Sequence, residues 1–132
     1  MFSDIAGIRT ALKERLATSL PYGWEISEYL KQPPTEYRSP LITFEFTRLD
    51  SAPDGRELGA GQVGAAVDLV LGSPKTADAT GEDDVDQLAL TLVQVIDAQS
   101  DMYWSTAEKQ RLETGQWVWR IHTIVLTESK EQ

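Results

Sequence analysis

Apolar residues open the chain at helical spacing: Ile5, Ile8, Leu12, Leu16 and Leu20, with Ala11 beside them. Arg9, Lys13, Glu14 and Arg15 fall on the other side. Ser3 and Asp4 suit the N-cap, and Pro21 pushes its predecessor out of the α region, so a core-facing helix from about residue 5 to 20 is expected. Trp24 to Tyr29 alternates and predicts a strand. Three prolines between Gln32 and Pro40 rule out regular structure there. From Leu41 to Leu49 the alternation is clear: Ile42, Phe44 and Phe46 point one way, Thr43, Glu45 and Thr47 the other.

Residues 50–61 read as a long glycine-rich loop, and a loop of that length between strands is usually functional or disordered. Gln62 to Leu71 predicts a third strand, with Val63, Ala65, Val67, Leu69 and Leu71 on one face. Gly64 and Ala66 on its other face leave room for a close backbone approach. An acidic loop is expected from Gly72 to Asp84, then a helix with Val85, Leu88, Leu92, Val95 and Ile96 inward. A short strand near Tyr103–Lys109, a turn at Glu113–Gly115 and a terminal strand Gln116–Thr127 complete the pattern. The polar end 128–132 is expected to fray.

These elements predict one α+β domain over residues 1–132, ordered helix, three strands, helix, two strands. Its sheet should be mainly antiparallel or mixed, with about five strands and both helices on one face. In the terminal strand Trp117, Trp119, Ile121 and Val125 share one face, while Val118, Ile124 and Leu126 lie on the opposite one. A sheet with one solvated face alternates apolar and polar, so this second face needs a cover: a neighbouring subunit, or the 32–40 or 50–61 segment folded back.

Composition narrows the chemistry. Without cysteine there is no disulfide, thiolate metal site or thiol nucleophile. No apolar run reaches the ~20 residues of a membrane helix, and Met1–Asp4 lacks the basic start of a signal peptide, which predicts a soluble intracellular protein with no membrane partner. A net charge of −9 argues against gripping phosphate backbones. No basic residue occurs between Lys75 and Lys109, so this interval is either solvated acidic surface or one that repels an anion.

No catalytic, cofactor or metal site is expected. His122 is the only imidazole; mid-strand beside Arg120, it reads as a surface or interface residue rather than a general base. No nucleophile elbow occurs, Asp83, Asp84 and Asp86 lack the rest of a calcium loop, and Gly59 to Gly64 matches a dinucleotide motif without the helix that must follow it. Glu45 and Asp68 are the acids a small hydrolase or isomerase would use, but no set converging on them is visible along the chain. The tryptophans read as core or interface.

The order of elements, the Ala107-Glu108-Lys109 triplet after an aromatic residue, and the Trp119-centred last strand resemble the tail terminator (tail-completion, tail-to-head joining) proteins of long-tailed phages and prophages. Versions from actinobacterial phages are the most similar, and the resemblance spans essentially the whole chain. It implies a non-enzymatic virion protein of the tail or neck, assembled in the host cytoplasm. Such a protein forms a homo-hexameric ring that caps the tail tube, ends its polymerisation and meets the head–tail connector. DNA passes through the lumen without specific binding. A ring would supply the cover for the second sheet face, and the residues expected at the interface are Asp54, Arg56, Glu57, Leu58, Val118, Arg120, His122 and Ile124. The alternatives are a connector or tube-ring protein of the same particle and, from another class, a small monomeric binding module.

Overall fold

The computed structural model describes residues 5–20, 23–27, 40–50, 62–72, 79–111 and 117–128. Seven elements follow the expected order: α1 (Ile5–Ser19), β1 (Glu25–Ser27), β2 (Leu41–Asp50), β3 (Gln62–Gly72), α2 (Ala79–Asp97), β4 (Met102–Arg111) and β5 (Trp117–Glu128). The strands form one mixed sheet in the order β1-β2-β3-β5-β4. Only β1 and β2 are parallel; every other neighbouring pair is antiparallel.

Side chains of both helices join one core with a single face of the sheet. Ile8, Leu12, Leu16 and Leu20 of the first helical segment and Ala89, Leu92 and Ile96 of α2 pack with Ile42, Phe44, Ala65, Val67, Leu69, Leu71, Met102, Ile121 and Val125. Full burial of each large apolar side chain contributes about 1.5–3 kcal/mol. Within the sheet α1 packs against β1, whereas α2 packs against β3, β5 and β4. The two helices therefore favour opposite ends of the sheet.

The helix ends have local causes. After α1 the Leu20 amide still reaches the Leu16 carbonyl at 2.8 Å, with Pro21 behind it. Gly23, at φ +100°, then turns the chain into β1, a backbone state with little steric cost for glycine. At the end of α2 the Ala98 and Gln99 amides bond to Val95 and Ile96 carbonyls, three residues back. That tighter spacing satisfies carbonyls a helix would otherwise leave open.

Several boundaries differ from expectation: β4 is longer at both ends than the expected Tyr103–Lys109, and β5 extends through Glu128, a residue expected to fray. The helix α2 begins at Ala79, inside the stretch read as acidic loop, because Glu82 and Asp86 are held from across the fold by Lys109. β1 is shorter at its start than the predicted strand, which began at Trp24. The expected Ser3–Asp4 cap, the end of that strand at Glu28 and Tyr29, the 32–39 and 51–61 segments, residues 73–78, the 113–115 turn and the polar end 129–132 lie outside the described residues.

The second face of the sheet is not an open apolar surface. Leu41, Ala66, Val118 and Ile124 lie outside the helix-side core yet are 5%, 5%, 1% and 4% exposed in the single chain. No helix described here is long and apolar enough to cross a membrane.

Candidate functional site

The second face carries the fold's main polar cluster. Strand register sets Glu45 of β2 opposite Asp68 of β3, Asp68 opposite His122 of β5, and His122 opposite Thr106 of β4. One row thus crosses four strands. The next row sets Arg120 opposite Glu108. Asp68 and His122, 54 positions apart in the chain, become direct neighbours, since cross-strand partners stand about 5 Å apart.

Asp68 is the hub. One carboxylate oxygen accepts from Arg120 Nη1 at 2.8 Å, and the other lies 2.7 Å from His122 Nδ1. Arg120 Nη1 also donates to Glu45 Oε1 at 3.1 Å. Burial opposes the charge on Arg120, but the Asp68 hydrogen bond and the Asp68 and Glu45 charges outweigh it and hold the guanidinium above its usual range. On the other side of the ring, Glu108 Oε2 stands 4.0 Å from His122 Nε2. Every buried side-chain polar atom among the described residues has a partner.

A hollow of about 390 Å³ opens beside this cluster, lined in part by Arg48, Asp68, Thr106, His122 and Ile124. Both walls are irregular. β2 shifts register between Phe46 and Arg48, and β4 between Trp104 and Thr106. Bulges bend strands and redirect side chains, and these two flank the same hollow. The Ser105 hydroxyl donates to the His122 carbonyl at 3.4 Å, and Thr47 donates to the Ala66 carbonyl at 3.4 Å.

Three of the tryptophans lie on the helix side and tie the sheet to α2 or to basic neighbours. Trp119 Nε1 donates to Asp86 at 2.9 Å and Trp104 Nε1 to Asp97 at 3.0 Å. Lys109 Nζ binds Glu82 and Asp86 and lies 5.1 Å and 5.7 Å from the ring centres of Trp117 and Trp119. The Glu82 hydrogen bond is the main reason that the Lys109 ammonium is held above its ordinary range.

Of the residues expected at an interface, Arg120 and His122 sit together in the cluster, half-buried and bound to Asp68. Val118 and Ile124 are buried within the chain and offer little area to a partner. Asp54, Arg56, Glu57 and Leu58 lie outside the described residues. Sequence reading found no set converging on Glu45 and Asp68; the fold corrects this, because both meet Arg120 in one network. The usable signal was an aspartate in the middle of the apolar run Val63–Leu71, where an unpaired charge is costly. Among the described residues no group of three or more acids or histidines is placed to hold a metal ion. No protein-family model matches the chain, and no curated protein matches it.

Proposed function

We propose that the protein is a structural ring component of a phage tail, a terminator that caps the tail tube and meets the head connector. The observation that carries this reading is the polarity of charge across the sheet. α1 holds three basic residues and one acid, whereas α2 holds five acids and no basic residue. The first helix packs at the β1 end and the second at the β4 end. Copies joined basic end to acidic end make a heterologous contact, and such contacts close into rings when the rotation permits. A two-fold dimer through either end would set like charges against each other.

The order of elements and the Trp119-centred strand, the features behind the resemblance, support the same reading. Burial of Val118 and Ile124 removes one earlier argument, since the second sheet face does not need a neighbour to cover them.

Native mass spectrometry over a concentration series, with negative-stain images, tests the proposal. Closed six-fold rings that never lengthen are expected, either from the free protein or on addition of tail tubes. Long tubes would assign the chain to the tube instead. A monomer at every concentration that also ignores added tubes would sink the ring reading.

A further inference from the structure

We propose that α2 is a two-state element with a long start at Ala79 and a short start at Val85, and that the contact of Lys109 with Glu82 selects the long one. The first six residues, Ala79 to Asp84, bring little of their own to a helix. Thr80, Gly81, Asp83 and Asp84 are all weak helix formers. No large apolar residue occurs among the six. The apolar face begins at Val85, which is fully buried.

What holds this turn comes from the hairpin. Glu82 and Asp86 stand one turn apart, where like charges oppose a helix. Lys109 Nζ binds both and removes that repulsion. The lysine is itself well placed, because strand register sets it opposite Trp119 and its ammonium lies 5.1 Å and 5.7 Å from the Trp117 and Trp119 ring centres. Asp86 is held a second time by the Trp119 indole at 2.9 Å. Asp86 and Trp119 therefore form a seat that either start retains, and Glu82 is the clasp ahead of it.

The short start is written into the sequence. Asp84 is a favoured N-cap residue, and Gln87 three positions later completes a capping box just before the apolar positions Val85, Leu88 and Leu92. In the long helix both are interior residues and this signal is unused. The two starts exclude each other, because an N-cap residue has a non-helical backbone. Salt separates them. The Glu82 and Lys109 side chains are 38% and 23% exposed, so their attraction is screened, whereas the cap is a local hydrogen bond. Passage to the short form releases Glu82 and Asp83 on an acidic arm of six residues, up to about 20 Å long when extended.

Backbone chemical shifts and amide exchange of the full chain, measured by nuclear magnetic resonance, test the proposal. Wild type at low salt should show helical shifts from Glu82 onward. In Lys109→Met, Asp84 should take the extended shifts of an N-cap while Val85 to Asp97 stay helical. The amides of Asp83, Asp84 and Val85 should then gain about tenfold or more in exchange rate relative to those of Leu92 and Ile96. Lys109→Arg should keep the long form. In the Lys109→Met background, Gln87→Ala should carry the non-helical shifts past Val85, although alanine is the better helix former. Raising salt to about 0.5 M should move wild type toward the Lys109→Met shifts, a test that needs no substitution. Helical shifts kept from Glu82 in Lys109→Met, helix lost through Leu88 in that variant, no response to Gln87→Ala, or wild-type shifts indifferent to salt would each overturn the proposal. None of these results depends on whether the chain forms a ring.

Discussion

The Asp68 carboxylate receives Arg120 on one oxygen and His122 on the other, so its removal strands two polar side chains at once. Asp68→Ala should cost about 2–4 kcal/mol in urea unfolding, the penalty of leaving half-buried partners unsatisfied. A loss below about 0.5 kcal/mol would mean that water satisfies both. Arg15 and Asp101 give the pH dependence. The Arg15 hydrogen bond lowers the Asp101 carboxyl below its ordinary value of 3.8, against an opposing effect of burial. A carboxyl lowered on folding stabilises the fold above its unfolded value and loses that contribution as pH falls through the folded one. Wild type should therefore exceed Asp101→Asn by about 1 kcal/mol at pH 7, the range for a partly exposed pair, and the difference should shrink as pH falls below 3.8. Gly23 has φ +100° and nothing within 4 Å of where a Cβ would stand, so Gly23→Ala should cost only the backbone strain of about 1–2 kcal/mol. Residue types were legible from the chain; their partners were not. An aspartate inside an apolar run announces a paired charge, but Arg120 is found only through the alignment of β3 with β5.

Helix α2 is fixed by two kinds of contact. Leu92 is fully buried on its inner side, whereas Leu90 is 49% exposed. Leu92→Ala should cost about 2–5 kcal/mol and Leu90→Ala less than about 0.5 in thermal or urea unfolding. Trp119→Phe keeps an aromatic ring but deletes the donor to Asp86, and should cost about 1 kcal/mol. Periodicity exposed the inward face of this helix but misplaced its start. Glu82 and Asp86 stand one turn apart, and the lysine that holds both is 27 and 23 residues away on β4. No local pattern could supply that contact. In β2 the alternation reads straight through Leu49, and the bulges after Phe46 in β2 and Trp104 in β4, which shape the hollow, leave no mark that reading by twos would detect.

At the scale of the molecule the fold class and element order were legible because five strands and two helices each carry their own period. The strand order was not, since it depends on which pairings close best in space. The proposed ring makes a prediction here too. Lys13 is exposed on α1 and Asp83 on α2. Lys13→Glu or Asp83→Lys should reduce the ring population at 50 mM salt in sedimentation velocity, and about 0.5 M salt should weaken the wild-type ring, since exposed charges act only over a few ångströms there. Insensitivity to both would exclude head-to-tail electrostatic closure. The place of β5 has a consequence for synthesis. It follows the other six elements in chain order, yet it lies between β3 and β4 in the finished sheet. Until it leaves the ribosome, one edge of β3 has no native partner, and β4 has none at all. A nascent chain of this protein therefore displays an apolar strand edge open to misassembly from the completion of β3 until β5 emerges, and any chaperone that attends it has its work in that interval.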